Sequence, residues 1–331
     1  MTTPSNADPE SRMQENRMLD LRPLESVRFH GLKAGPKLLV LGAVHGNEIC
    51  GPNAIARAIE DCRTGRLTVL RGDVTFVAVA NPKAYRQNTR EGDRNLNRDL
   101  RERPLPEDNE DRIGNPLCAL LREHEVLLDI HSFTAPGQPF VFFGPEDNTG
   151  DLEPFRHAAA EAAFAACLGT DILIHGWLDI YVRLIAARER LNLPRLAVTE
   201  GFGTTEYMRF AGGYGVTLEC GTHEDPHAAD VGLAAIHNAL AHLGMVDAPP
   251  RPEPRPSVIH MADLVICEAQ GDRLEGQWKT GDAIAAGQII ARRAGGEAVA
   301  ASENGFVIFP NAKAKPGEGI CYLGVASTRA L

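Results

Sequence analysis

Two short apolar runs constrain this chain more than any other feature. Lys37–Val44 (KLLVLGAV) lies between Gly-Pro and His-Gly, and Glu125–Ile130 (EVLLDI) runs straight into His131. Runs of this length, bounded by turn residues, read as buried strands. The first is followed by His45-Gly46-Asn47-Glu48, the second closes on Asp129-Ile130-His131. The chain thus carries His, Glu and a distant second His, each at a strand end. Zinc in hydrolytic sites takes three protein ligands of this kind and leaves its fourth position to water. Such a water is a nucleophile near neutral pH.

The remaining pattern alternates strands with helices. Cys50–Cys62 reads as a helix, with Pro52 in its first turn and Ile55 and Ile59 on one face. Val74–Ala80 is a strand stopped by Asn81-Pro82, and Phe140–Phe143 a shorter one. Asp151–Leu168 is Ala-rich and helical, Arg195–Thr199 and Gly215–Leu218 are further strand candidates, and His227–Leu243 is a helix. This predicts an α/β fold, a mixed twisted sheet with helices on both faces.

Near Ala248 the composition breaks. The segment 248–257 (APPRPEPRPS) holds five prolines and reads as a stiff linker. Beyond it, short strands punctuated by glycine, at Leu264–Glu268, Ile289–Ala291, Ala298–Ala300 and Gly305–Phe309, predict a small all-β domain over 258–331. Its wording resembles half of a lipoyl- or biotinyl-type barrel, but the acceptor lysine is missing, so a module that shapes or closes the site is expected. The catalytic domain is expected over 21–247, after a mobile polar tail at 1–20.

The 331 residues carry 34 Lys and Arg against 44 Asp and Glu, a net charge of -10. An acidic surface disfavours nucleic acid and anionic membranes as partners. No run approaches the roughly 18 apolar residues of a membrane span, and the N-terminus lacks an apolar signal core. A cytoplasmic protein is expected. Seven dispersed cysteines with no CxxC pair suggest reduced thiols.

His45 and Glu48 are three residues apart, a spacing that lets both reach one metal from a single turn. His131 adds a third donor. Asp129, two residues earlier on the same strand face, is a candidate to orient a nearby ligand. Thr89–Asp99 (TREGDRNLNRD) concentrates three arginines and two asparagines, and guanidinium forks bind carboxylates. Glu219 closes an apolar strand, where it suits a general base and acid. A competing thought is Cys220 as nucleophile with His223 as base, but adjacent strand residues point to opposite faces.

In this order, HGNE, NP…TR…NLNR, DIH and LECG resemble the succinylglutamate desuccinylase/aspartoacylase family, a branch of the zinc carboxypeptidase fold. The resemblance implies that His45, Glu48 and His131 hold one Zn2+ per chain. It implies that Glu219 activates water and protonates the leaving amine, and that Arg90 polarises the scissile carbonyl. Asn97 and Arg98 would grip the α-carboxylate, and Arg209, ten residues before Glu219, would meet a second carboxylate. The implied reaction is hydrolysis of a small anionic N-acyl amino acid. The alternative is a carboxypeptidase or cell-wall peptide-trimming enzyme of the same fold. Two departures stand out: Asn95 sits where an acidic residue is usual, and Cys220-Gly-Thr-His223 replaces a Val-Gly-Pro-Gln style of ending. Homo-oligomer formation is left open by the sequence.

Overall fold

The computed structural model of the protein describes residues 24–248 and 256–331. The expected tail at 1–20 and most of the expected linker fall outside the described residues. In chain order the elements are β1 (Val27–His30), β2 (Lys33–Gly42), α1 (Cys50–Arg63), β3 (Arg71–Val77), α2 (Pro82–Gln87), α3 (Asn109–Glu123), β4 (Val126–Phe133) and β5 (Phe140–Phe142). There follow α4 (Ala158–Cys167), β6 (Ile172–His175), α5 (Trp177–Arg190), α6 (Thr204–Phe210), β7 (Tyr214–Thr222) and α7 (Ala228–His242). The C-terminal strands are β8 (Ser257–Ile266), β9 (Arg273–Leu274), β10 (Ala283–Ile284), β11 (Ile289–Arg292), β12 (Ala298–Ala300), β13 (Gly305–Ile308) and β14 (Gly319–Ala326).

The main sheet is mixed, in the order β1-β3-β2-β4-β7-β5-β6-β8-β14-β13-β10. Its centre, β3-β2-β4-β7, is parallel. Strands buried on both faces read as continuous apolar runs, and every residue of β4 is buried. Alternation sorts the side chains. Leu38, Val40, Leu128, Val216 and Leu218 pack with Ala54 and Ile55 of α1 and Ile236 of α7. Leu39, Leu41 and Leu127 pack on the other face with Leu117 and Leu121 of α3 and Met208 of α6.

The C-terminal strands do not stand apart. β8 runs parallel beside β6, with Ile172 opposite Ser257 and His175 opposite His260. β14 and β13 then extend the sheet antiparallel, while β12, β11 and β9 form a second small sheet. No helix among the described residues is long and apolar enough to cross a membrane.

Two stretches differ from expectation. Arg195–Thr199 is not a strand. A single 3-10 turn spans Val198–Gly201, and the Ala197 N–H donates to Glu200 Oε1 instead of to a neighbouring strand. The helix expected from Asp151 begins at Ala158. Phe155 pairs with Asn148 across a β-bridge, and Asp147 Oδ1 accepts from the Ala158 N–H, so the residues before it are held as a loop.

Candidate active site

Parallel strands deliver their carboxyl ends to one edge of a sheet, and ligands bind there. His131 of β4 and Glu219 of β7 are paired neighbours at that edge. β2 ends beside them, and the chain turns through Ala43, at φ +46°, into His45. Gly46 is needed for a close approach: a Cβ there would lie 2.0 Å from the Ala84 carbonyl carbon in α2. Glu48 follows just before α1 begins.

These residues converge. Ligand atoms of His45, Glu48 and His131 all lie within 4.8 Å of one another. His45 Nδ1 is 2.9 Å from Glu48 Oε1, and His131 Nδ1 is 2.9 Å from Glu48 Oε2. Both imidazoles thus aim the same nitrogen at one carboxylate. Their far nitrogens are also placed. His45 Nε2 is 3.0 Å from Asn95 Oδ1. His131 Nε2 is 2.9 Å from Asp129 Oδ2, at an angle short of a hydrogen bond. Asp129 in turn accepts from the Thr204 hydroxyl of α6.

Burial sets the electrostatics. It pushes His45 down to about 4. Burial also opposes charge on His131, but Asp129 and Glu48 outweigh it and hold that pKa well above the usual value. Against its own burial, Glu48 is held well below the carboxylate range by His45 and His131. Glu219 is pushed up to about 8, mainly by burial, with the nearby Glu48 charge adding to it.

The donor set fits a metal ion. Two imidazole nitrogens and a carboxylate are a hydrolytic zinc set, and the outer contacts from Asn95 and Asp129 are of the kind that orient metal-binding histidines. Glu219 Oε2, beside the cradle, is buried without a hydrogen-bond partner among the described residues. An orphan polar atom there calls for an explanation, and the water of a bound cation supplies one.

The centre opens into a cavity of about 660 Å³ lined by His45, Glu48, His131, Glu219, Arg90, Asn97 and Arg98, among others. Arg90 donates to Glu48 Oε1 at 3.0 Å and is otherwise half-exposed. Its loop is organised from below by Glu110, which is fully buried and accepts the backbone N–H groups of Gly92, Asp93 and Arg94. Arg94 is tied to Asp108 and Asp111. Asn97 Oδ1 accepts from the Thr204 N–H, and the Arg98 guanidinium lies 5.0 Å over the Trp177 ring. Arg98 has no carboxylate partner among the described residues.

Arg209 also lines the cavity, but its donors are spent. Nε and one terminal nitrogen bind Glu161, that same nitrogen also binds the Gly215 carbonyl, and the other binds Glu153 and Glu206. A guanidinium has five N–H groups, so a substrate carboxylate would find none free. The expected meeting of Arg209 with a second carboxylate gives way to three carboxylates of the protein itself.

Cys220 is fully buried, with its Sγ on the α7 side of the sheet beside Gly232. His223 faces the cavity, where Ser132 Oγ meets its Nδ1 at 2.8 Å. The two do not form a nucleophile–base pair. The motif reading missed the walls built from far along the chain: Trp177, His260, Phe309 and Tyr322. Single ring residues at a helix start (Trp177), within two strands (His260, Tyr322) and just after a third (Phe309) form no motif in the sequence.

Residues 34–174 match the family model described as the succinylglutamate desuccinylase/aspartoacylase catalytic domain. The resemblance carried by the motifs is real. This catalytic-domain match includes HGNE, the Arg90–Arg98 loop and DIH. No curated protein matches. Among solved structures, the product-bound ectoine utilization protein EutE (DoeB) from Ruegeria pomeroyi is 24% identical, with a TM-score of 0.66 over 92% of this chain and 89% of that one. A succinylglutamate desuccinylase/aspartoacylase from Rhodobacter sphaeroides is 16% identical, with a TM-score of 0.69 over 92% and 89%. An aspartoacylase family protein from Mesorhizobium loti is 19% identical, with a TM-score of 0.67 over 92% and 90%. These likenesses show that the fold is the succinylglutamate desuccinylase/aspartoacylase fold.

Proposed function

We propose that the protein is a metal-dependent amidohydrolase, zinc its preferred ion, that removes the acyl group from a small N-acyl amino acid. One observation carries the reading. Three ligand atoms close on one point, and Glu219, Arg90 and Arg98 open onto the same cavity. Bound there, zinc would supply a Lewis acid for the amide carbonyl and a water acidic near pH of about 7.

The chain's own residues perform the other tasks. Glu219 takes a proton from the attacking water and hands it to the leaving amine. Its buried, unpartnered oxygen leaves it free to do both. Arg90 donates to the oxygen that gains charge as the amide carbon becomes tetrahedral. Arg98 holds the α-carboxylate, its plane braced by Trp177. Asn97 has its Oδ1 occupied, so its amide N–H groups are what it offers substrate. Walls from Phe309 and Tyr322 favour a small substrate over a peptide.

The test is metal content of the purified protein, with amine release from N-acyl amino acids before and after chelation. About one zinc per chain, with turnover lost on chelation and restored by zinc, is the expected result. Metal-free protein with full activity would overturn the proposal.

A further inference from the structure

One stretch of the cavity wall is not built from a strand. Gly144, Pro145, Glu146 and Asn148 line the cavity just after β5 ends. The Phe143 N–H still donates to the Ile174 carbonyl of β6, but among the described residues 144–147 make no backbone-to-backbone hydrogen bond. A segment without such bonds opens easily unless side chains hold it.

Two side chains grip Gly144. Glu161 of α4 accepts its N–H at 2.5 Å. Arg329, beyond the end of β14, donates from one terminal nitrogen to the Gly144 carbonyl and from the other to the Pro145 carbonyl at 2.9 Å. Its guanidinium also lies 4.3 Å over the Phe143 ring. Three consecutive residues thus meet one arginine, whose rigid fork of donors suits two neighbouring carbonyls. The acids around it are Glu161, Glu146 and Asp147, and the nearby cation is Arg209. Gly144 lies so close to Arg209 that a Cβ there would be 2.3 Å from its Nε, so a shift of Gly144 is felt by the Arg209–Glu161 pair.

Arg329 is itself anchored. The Ser327 N–H donates to the Val258 carbonyl of β8. Ser327 Oγ accepts the Arg329 N–H at 3.2 Å and meets His175 Nε2 at 3.0 Å. His175 lines the cavity two residues before Trp177, the ring beneath Arg98. The C-terminal segment therefore backs the side of the cavity assigned to the amino-acid half of the substrate.

Resting on the N-acyl amino acid reading above, we propose that Arg329 is a positioning residue, which fixes the Gly144–Asn148 wall before substrate arrives and so sets the fit of the amino-acid half without touching it. Without that brace the wall has to be ordered at the moment of binding, a cost that falls on affinity. Arg329 bonds to none of His45, Glu48, His131 and Glu219, so the chemistry after binding is left alone.

The test follows amine release from Nα-acetyl amino acids of increasing side-chain length on the zinc-loaded full chain, for the parent, R329Q and R329K, together with amide hydrogen exchange of the same proteins. In R329Q the KM of the best substrate is expected to rise by about tenfold, with kcat changed by no more than about twofold. The spread of kcat/KM across the series should narrow. Peptides covering 143–148 should exchange faster, and those covering β4 and β7 as in the parent. R329K, whose ammonium reaches one carbonyl at a time, should fall between the two. An unchanged KM, a loss confined to kcat, or exchange over 143–148 that is unchanged or rises together with β4 and β7, overturns the inference and leaves the hydrolase standing. If the parent turns over none of the series, the hydrolase reading falls and exchange scores the brace by itself. Faster exchange confined to 143–148 then supports it, and unchanged or general exchange overturns it.

Discussion

Asp129 stands 2.9 Å behind His131, and the position behind His45 is filled by Asn95, an amide, at 3.0 Å. The two candidate metal-binding imidazoles are thus backed unequally. A carboxylate makes its imidazole a stronger donor to a cation than an amide does.

Removing the carboxylate should therefore matter at the metal. Asp129→Asn is expected to lower zinc affinity by about 10- to 100-fold, and Asn95→Asp to raise it. Competition against a chromogenic chelator reads both. An unchanged zinc affinity in Asp129→Asn would show that the contact does not act on the metal.

The arginines should divide kinetically. Arg90 serves charge that exists only at the tetrahedral stage, so Arg90→Ala should cut kcat by about 10² to 10³ with little change in KM. Arg98 serves a carboxylate charged throughout, so Arg98→Ala should raise KM. Arg98→Lys should restore little, because an ammonium cannot reproduce the flat stack on Trp177. Equal kcat losses at both positions with KM untouched would contradict the assignment.

Glu219→Gln should abolish turnover while zinc content, by atomic spectroscopy, stays near that of the parent. Parallel loss of metal would move Glu219 from proton transfer to metal binding.

Glu153 couples stability to pH. Its pKa in the folded chain, about 7, lies above the ordinary 4.5. A carboxyl shifted upward contributes stability that is fully present below 4.5 and is lost as pH rises through 7. The ligand-free protein should lose thermal stability across that window, and Glu153→Gln should flatten the loss. Melting curves at stepped pH settle the sign.

Gly46→Ala should unseat the metal turn. The added Cβ meets the Ala84 backbone at 2.0 Å, where no side chain can swing aside. A cost of about 1 to 3 kcal/mol in denaturant unfolding is expected, with weaker zinc binding. Full retention of both would mean that α2 yields easily.

How much of this was legible in the sequence follows from range. HGNE, the Arg90–Arg98 loop and DIH could be read because each packs its chemistry beside a buried strand. The order of the motifs then pointed to the fold. Asp129 could be placed behind a ligand by strand alternation alone. What the sequence hid depends on contacts between distant segments. Glu110 bonds three backbone N–H groups of the Arg90 loop from the next helix. Arg209 sits at the offset that suggested a carboxylate partner, and the partners are carboxylates of this chain, Glu153 and Glu161, lying 56 and 48 residues away. Arg195–Thr199 looked like a strand by composition, yet Glu200 reaches back and closes it into a turn.

The pairing of β8 with β6 has a mechanical consequence. Tyr322 on β14 and Phe309 just after β13 reach the cavity from the edge of the sheet that carries His131 and Glu219. Walls joined by backbone hydrogen bonds do not swing as a lid does. A chain ending at Ala248 would leave the β6 edge bare, and bare edges recruit other strands. Such a fragment should aggregate instead of surviving as a smaller enzyme, and the intact protein should melt in a single step.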